Sequence, residues 1–313
     1  MIINTIRLCG LRAETLLGFL AALGTLRVLA RKIPEAKLSW SDSGGGWIAE
    51  LYVPDGTLRD ADHVAEVVFA AIQEQKTNHP VIQWERFLGK AFNDESDFFR
   101  ASAMAVLSAE SDDRQDFTPV FSAQIPVKQG EALEHFDHPF RAARRDYYPN
   151  NLRSVIANTD LKHIVRTLAI PWDYRDAMDN QSLRLDHGDD RRHAYQWDAP
   201  SGDPARKKSG CMLGANRLAI EAFPLFPCIP SQNGNTAVGF ICNSKTYTWV
   251  SWPIWTAPCS LSVIMSLLNL GIIHELEPSP DSLRKFGIAA VLRSRRLPIE
   301  KNKVFLPPVT VAS

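Results

Sequence analysis

The stretch Ala13–Lys32, AETLLGFLAALGTLRVLARK, constrains the fold more than any other part of this chain. Leu16, Phe19, Leu20, Leu23, Leu26 and Leu29 or Ala30 recur at three- and four-residue spacing, the period of an α-helix. Glu14 stands in the first turn, and Arg31 and Lys32 in the last, where each complements the helix dipole. The other faces carry Gly18, Ala21, Ala22 and Gly24, so the helix is nearly apolar all round. It must be enclosed on several sides, and its small residues let neighbours approach closely. A chain of 313 residues with 45% hydrophobic and 22% charged side chains has the material to enclose it.

Two strand-like runs follow, Lys37–Ser41 and Trp47–Val53, and the SGGG of Ser43–Gly46 predicts a hairpin between them. That glycine run lacks a GxGxxG or GKS/T context, so it does not read as a phosphate loop. Amphipathic spacing predicts helices over Asp60–Lys76, Asp94–Ala109 and Asn151–Ala169, with Phe117–Val127 a strand or an extended connector. Met212–Phe223 reads as a helix stopped by Pro224, and the three prolines of Phe223–Pro230 bar regular helix beyond it. Thr236–Cys242 and Lys245–Trp252 are β-rich around an Asn243–Ser244 turn, and Pro253 suits a strand end at an edge. Ser260–Ile273 reads as an apolar helix, and Ile288–Arg293 and Lys303–Leu306 as terminal strands. The expected class is α+β, with a helical N-terminal part carrying a short hairpin and a β-rich C-terminal part with a mixed or antiparallel sheet. The division would fall near residues 172–183, as 1–175 and 176–313, unless the chain is one continuous domain.

Thirty-five basic and 35 acidic side chains give a formal net charge of zero, which argues against a free-standing, non-specific DNA binder. Local basic patches, or contacts shared with partners, stay open. Cys9, Cys211, Cys228, Cys242 and Cys259 are odd in number and contain no CxxC pair, the pattern of reduced thiols. With no signal-peptide layout, and with Thr15–Leu26 far short of the roughly 20 apolar residues of a membrane span, a cytoplasmic protein that keeps off membranes is expected.

One segment breaks with the rest of the chain. Leu183–Arg217 reads LRLDHGDDRRHAYQWDAPSGDPARKKSGCMLGANR, and its first 26 positions hold six cations (Arg184, Arg191, Arg192, Arg206, Lys207, Lys208) and five aspartates. Tyr195 and Trp197 stand among them. Cations neutralise phosphates and flat rings stack on bases, so a nucleic-acid strand is one natural occupant. Asp186, His187, Asp189 and Asp190, with His193 nearby, are instead the donor types of a hydrolytic metal site, although Arg191 and Arg192 compete beside them. The bland alternative is a solvated loop of local ion pairs. His135-Phe136-Asp137-His138 lacks the HExxH geometry and reads as incidental. Two further groups interleave cations and rings or cluster cations: Arg141, Arg144 and Arg145 with Tyr147 and Tyr148, and Arg293, Arg295 and Arg296 with Lys301 and Lys303. In the first group, tyrosines packed inward behind an exposed basic face is the simpler reading. Trp249, Trp252 and Trp255 sit in an apolar stretch that suits core or interface anchors. There is no GxSxG elbow and no dinucleotide fingerprint, and no catalytic residue, cofactor or bound metal is expected.

Three stretches resemble accessory and large-subunit-like proteins of CRISPR type I-U (I-G) systems. GLRAETLLGFLAALGTLRVL (Gly10–Leu29) is similar to their N-terminal helix. DRRHAYQWDAPSGDPARKKSGCMLGANRLAIEAFPLFP (Asp190–Pro227) is similar to their central motif, and TWVSWPIWTAPCSLSVIMSLL (Thr248–Leu268) to a WPLW-P signature followed by a helix. Together they cover roughly a third of the chain, and the middle one is the most distinctive. The resemblance implies a non-catalytic part in RNA-guided interference against foreign DNA. The member would be a compact large-subunit-like component, or one of the small family that accompanies the helicase-nuclease as an extension. Partners would be other effector subunits or the helicase-nuclease, with DNA, and with guide RNA as a further candidate; base pairing by the guide would read sequence while the protein contacts shape and backbone. On this reading Arg191, Arg192, Arg206, Lys207, Lys208 and Arg217 grip phosphate, and Tyr195 and Trp197 stack. The competing readings are a metal-dependent nuclease using Asp186, His187, Asp189 and Asp190, and a protein-binding scaffold presenting the Trp-rich C-terminal half.

Overall fold

The computed structural model describes residues 2–82, 116–117, 120, 139–143, 148–177, 181–187, 210–231, 234–243, 246–299 and 302–313. Elements are labelled in chain order over these residues. The apolar run near the N-terminus folds as α1 (Leu16–Ala30), and Thr15 caps it by accepting a hydrogen bond from the Gly18 amide. All but its last residue are buried. On one side lies α5 (Leu213–Ala222), the partner with which α1 makes its most extensive helix contact. Gly24 permits that contact: a Cβ there would run into the Leu218 carbonyl of α5.

A three-stranded antiparallel sheet forms next to α1. Strands β1 (Ile3–Arg12) and β2 (Lys37–Asp42) pair on either side of β3 (Trp47–Pro54). The β2–β3 hairpin turns through glycines, with Gly44 at φ 73° and Gly46 at φ 138°, backbone that a side chain would strain. The alternation in β1, with Ile6 and Leu8 buried and Thr5 and Arg7 exposed, is a strand signal that the reading of the N-terminus passed over. Helix α2 (Ala61–Gln73) starts at Asp60, whose carboxylate accepts from the His63 amide.

The predicted helix over Asn151–Ala169 is two helices, α3 (Tyr148–Asn158) and α4 (Leu161–Ala169). The interruption has a local cause. Thr159 turns its hydroxyl back to the Val155 carbonyl, and Asp160, in extended backbone, becomes the N-cap of a new helix. Asp94–Ala109 and most of Phe117–Val127 lie outside the described residues.

The C-terminal half is β-rich and antiparallel, and the class is α+β. After β4 (Asp176–Ala177) and β5 (Gly210–Cys211), which pair with each other, and α5 come the hairpin β6 (Cys228–Ser231) and β7 (Gly234–Ala237) and a larger sheet. In that sheet β8 (Phe240–Asn243), β9 (Thr246–Trp255), β10 (Ile288–Ile299) and β11 (Asn302–Phe305) lie side by side, and β12 (Val309–Ala312) also pairs with β10. Strand β9 does not stop at Trp252. It continues through Pro253, which stands opposite Val291, beyond the last β8 partner at Val250; on that side the strand is a local edge, where proline leaves no sheet donor missing. The apolar run after it forms α6 (Leu261–Leu268) and then a short 3-10 turn at Gly271–His274, followed by α7 (Pro280–Lys285).

Residues from both halves of the chain share one hydrophobic core. Phe19 of α1 meets Trp40 of β2 and Trp252 and Trp255 of β9, with ring centroids 5.8–6.2 Å apart. The two indoles also tie the halves together by hydrogen bonds, Trp252 Nε1 to the Ala13 carbonyl (3.0 Å) and Trp255 Nε1 to that of Leu38 (2.7 Å). Leu38 further exchanges backbone hydrogen bonds with Cys259. Trp252 and Trp255 are core anchors, so a scaffold would not present them as a surface. No helix among the described residues is long and apolar enough to cross a membrane.

Candidate functional site

The residues on either side of 188–209 are fixed by a dense polar knot. Leu183 and Leu185 are buried, and the Leu183 amide donates to Asn216 Oδ1 of α5 (2.7 Å). Asn151 Nδ2 of α3 donates to the Ser182 carbonyl (3.1 Å). Asp186 is buried and its Oδ2 accepts from the Tyr174 hydroxyl at 2.7 Å. On the far side, Gly210 and Cys211 pair with Ala177 and Asp176. Gly210 is required there, since a Cβ would collide with the Tyr174 carbonyl. Tyr174 and Arg184 hold positive φ angles of 51° and 60°, a left-handed conformation uncommon for residues with a side chain.

Asp176 joins this knot to the helices. Its Oδ2 accepts from the Leu213 amide (2.8 Å), placing negative charge at the N-terminus of α5 where the helix dipole favours it. Its Oδ1 accepts from Arg166 Nη1 and lies 3.7 Å from His163 Nε2. The Asp160 amide donates to His163 Nδ1 (2.9 Å), so the neutral ring carries its proton on Nε2, toward Asp176. Burial pulls the His163 pKa below the ordinary histidine value, against the opposing pull of the Asp176 carboxylate.

Of the residues expected to grip nucleic acid, Arg191, Arg192, Tyr195, Trp197, Arg206, Lys207 and Lys208 lie outside the described residues, as do Asp189 and Asp190. Arg217 is described and corrects its assignment. Its side chain is 2% exposed and its Nη1 is bonded to Glu221, so it faces the interior and cannot meet a phosphate backbone at the surface. Asp186 is engaged by Tyr174, and His187 Nδ1 stands 3.8 Å from its Oδ1. Among the described residues no group of three or more His, Cys, Asp or Glu is placed to hold a metal ion.

The two other basic groups divide in the same way. His135, Asp137, His138, Arg144, Arg145 and Tyr147 lie outside the described residues, while Tyr148 is buried at the start of α3. Arg293 and Arg296 are buried within β10. Arg293 binds the Ser251 hydroxyl and the carbonyls of Ile273 and Glu275, stitching the 3-10 turn to the sheet, and Arg296 Nη2 donates to the Arg141 carbonyl. Arg295 is exposed and lies over the Trp249 ring, 5.7 Å from its centroid, so one cation of that group does face outward on an aromatic platform.

A cluster that the sequence reading missed sits between α1, α5 and the residues after α2. Glu221 is buried and receives three donors: Arg217 Nη1 at 2.5 Å, His79 Nε2 at 2.9 Å and Arg27 Nη1 at 3.4 Å. The Val81 amide donates to His79 Nδ1, which fixes the histidine proton on Nε2, facing the carboxylate. Arg27 Nη2 reaches out to Asp116 (2.8 Å), whose side chain is 53% exposed, and its guanidinium lies over the Phe117 ring. Burial alone would raise the Glu221 pKa, but the charges of Arg217 and Arg27 and the His79 hydrogen bond hold it well below the usual carboxylate range. Burial pushes His79 the other way, below the ordinary histidine value, so it stays neutral. The i,i+4 spacing of Arg217 and Glu221 was visible in the sequence; that both sit on a buried face was not.

No family model, curated protein or solved structure matches the chain.

Proposed function

We propose that the chain is a non-catalytic subunit of a CRISPR type I-U/I-G effector, which contacts DNA backbone, docks partner subunits, or does both during RNA-guided interference. The observation that carries this reading is spatial. The three sequence stretches that resemble this family lie far apart in the chain, yet α1, α5 and β9 pack as one unit around Phe19, Trp252 and the α1–α5 contact. A shared pattern in three such segments is what a common building block needs. Arg191, Arg192, Arg206, Lys207 and Lys208 remain the phosphate-gripping set, with Tyr195 and Trp197 as stacking groups and Arg217 removed to the core. The knot of Tyr174, Asp186, Asn216 and Gly210 gives the residues flanking them a rigid base, as a binding element on a scaffold requires.

The test is an electrophoretic mobility shift with duplex and single-stranded DNA at two salt concentrations. The expected result is a salt-sensitive shift that the Arg191→Ala/Arg192→Ala variant weakens. Absence of binding even at low salt would overturn the DNA-contacting part of the reading. Plasmid cleavage with Mg²⁺ that Asp189→Ala abolishes would replace it with the nuclease reading.

A further inference from the structure

The sheet of β1, β2 and β3 has two unlike faces. Ile6, Leu8, Trp40 and Leu51 are buried on the inner one, where Trp40 meets Phe19 of α1. On the opposite face, cross-strand pairing sets Thr5, Tyr52 and Lys37 in one row and Arg7, Glu50 and Ser39 in the next. Thr5, Arg7 and Lys37 are exposed and Tyr52 and Glu50 half-buried, so this face opens to solvent at all but its Ser39 corner. Tyr52 is held down on it. Its hydroxyl donates to Glu50 Oε2 (2.9 Å) and accepts from Ser39 Oγ (3.2 Å), both one row along the sheet. A tyrosine whose hydroxyl is tied to the neighbouring row lies over the strands, with one ring face on the sheet and the other toward water.

We propose that this face binds a single-stranded nucleic-acid segment, with one base stacked on Tyr52 and the flanking phosphates met by Arg7 and Lys37. The ring is pinned before any ligand arrives, so little ordering is left to do on binding, and an aromatic face accepts any unpaired base. The cations stand on the two outer strands, one on each side of the tyrosine strand, and neither forms an ion pair among the described residues. Glu50 is the one carboxylate in the two rows, against two cations, so the local charge suits a polyanion. A base within a duplex already has both faces stacked, which makes an unpaired strand the occupant. The face lies in the first 54 residues and stands independently of the Arg191–Lys208 segment.

The experiment measures binding of a fluorescein-labelled oligothymidine to the full chain by anisotropy, over a series of salt concentrations. Tyr52→Ala is expected to weaken binding about fivefold or more, the low end of what one stacked base contributes. Tyr52→Phe keeps the ring and should retain most of the affinity. In Arg7→Ala/Lys37→Ala, the slope of the logarithm of the association constant against that of salt concentration should shrink by about 1.4, two phosphate contacts on a single strand. If Tyr52→Ala does not fold, the double variant decides the matter, since both of its residues are exposed. Unchanged binding in Tyr52→Ala, equal losses in the alanine and phenylalanine variants, or an unchanged slope in the double variant overturns the proposal. An effect of Arg191→Ala/Arg192→Ala with none of Tyr52→Ala removes this site and leaves the DNA-contacting reading standing. The converse pattern supports this site and removes the Arg191–Lys208 one. Absence of binding even at low salt overturns both.

Discussion

Arg217 and Glu221, one helical turn apart on α5, form a 2.5 Å ion pair in which neither side chain is more than 2% exposed. The carboxylate is the hub of the cluster, since Arg27 and His79 bind it too. Removing it leaves buried guanidiniums without their counter-charge, a far larger loss than the net worth of the pair. Glu221→Ala is expected to lower folding stability by about 3–5 kcal/mol. Urea denaturation checks this, and a loss below about 1 kcal/mol would mean that the cluster is hydrated and open.

Two buried histidines, His79 of this cluster and His274 of the 3-10 turn beside Arg293, make stability depend on pH. Burial pulls His79 below the ordinary histidine value, and burial together with the nearby Arg293 charge pulls His274 from 6.5 to about 4. In the unfolded chain both take up protons near pH 6.5, while in the folded chain both take them up only at lower pH, His274 at about 4. The unfolded state then binds more protons, so stability falls as pH drops from about 6.5 toward 4. Glu221 extends the loss to lower pH: its folded pKa lies well below its unfolded value near 4.5, so its contribution is complete above that value and disappears as pH falls toward the folded one. Urea midpoints measured from pH 7.5 to pH 4 should decline, and His274→Gln should flatten the upper part of the decline.

Gly24 tests how tightly α1 and α5 must meet. Alanine is the better helix former by about 1 kcal/mol, which would favour Gly24→Ala in an isolated helix. Here the new methyl meets the Leu218 carbonyl, a backbone atom that cannot step aside. The substitution is expected to destabilise by about 1–3 kcal/mol. A stabilised variant in thermal melts would contradict the close approach.

Much of this fold was legible because its signals are local. The period of Leu16 to Leu29 gave α1, and the glycines between Trp40 and Trp47 gave the hairpin. What was not legible depends on context. The α3–α4 break rests on Thr159 and Asp160, ordinary polar residues within a helical pattern, and only their back-bond and cap reveal it. Arg293 and Arg296 looked like surface cations because charge usually marks a wet face; their burial rests on carbonyls and a hydroxyl contributed by segments remote in sequence. Arg217 was misassigned for the same reason. Its partner Glu221 is buried together with Arg27 and His79, which come from α1 and the residues after α2, and no spacing rule links those to α5.

The knot formed by the residues on either side of 188–209 gives a local prediction. Tyr174→Phe removes one hydrogen bond from the buried Asp186 carboxylate and leaves the ring packing with Trp172 in place. The expected cost is about 1–3 kcal/mol, concentrated at this knot. Amide hydrogen exchange should accelerate at Leu183–Asp186 while that of α1 stays unchanged. Uniform acceleration across the molecule would show that the knot is part of the global core.

The most direct measurement of the central claim is the salt dependence of DNA affinity, for the natural chain and for Arg191→Ala/Arg192→Ala. If both arginines neutralise phosphates, the logarithm of the association constant should fall linearly with the logarithm of salt concentration. The slope should then shrink by about 2 in the double variant, close to one unit per lost contact. An unchanged slope, or affinity indifferent to salt, would contradict the claim that this segment grips a nucleic-acid backbone.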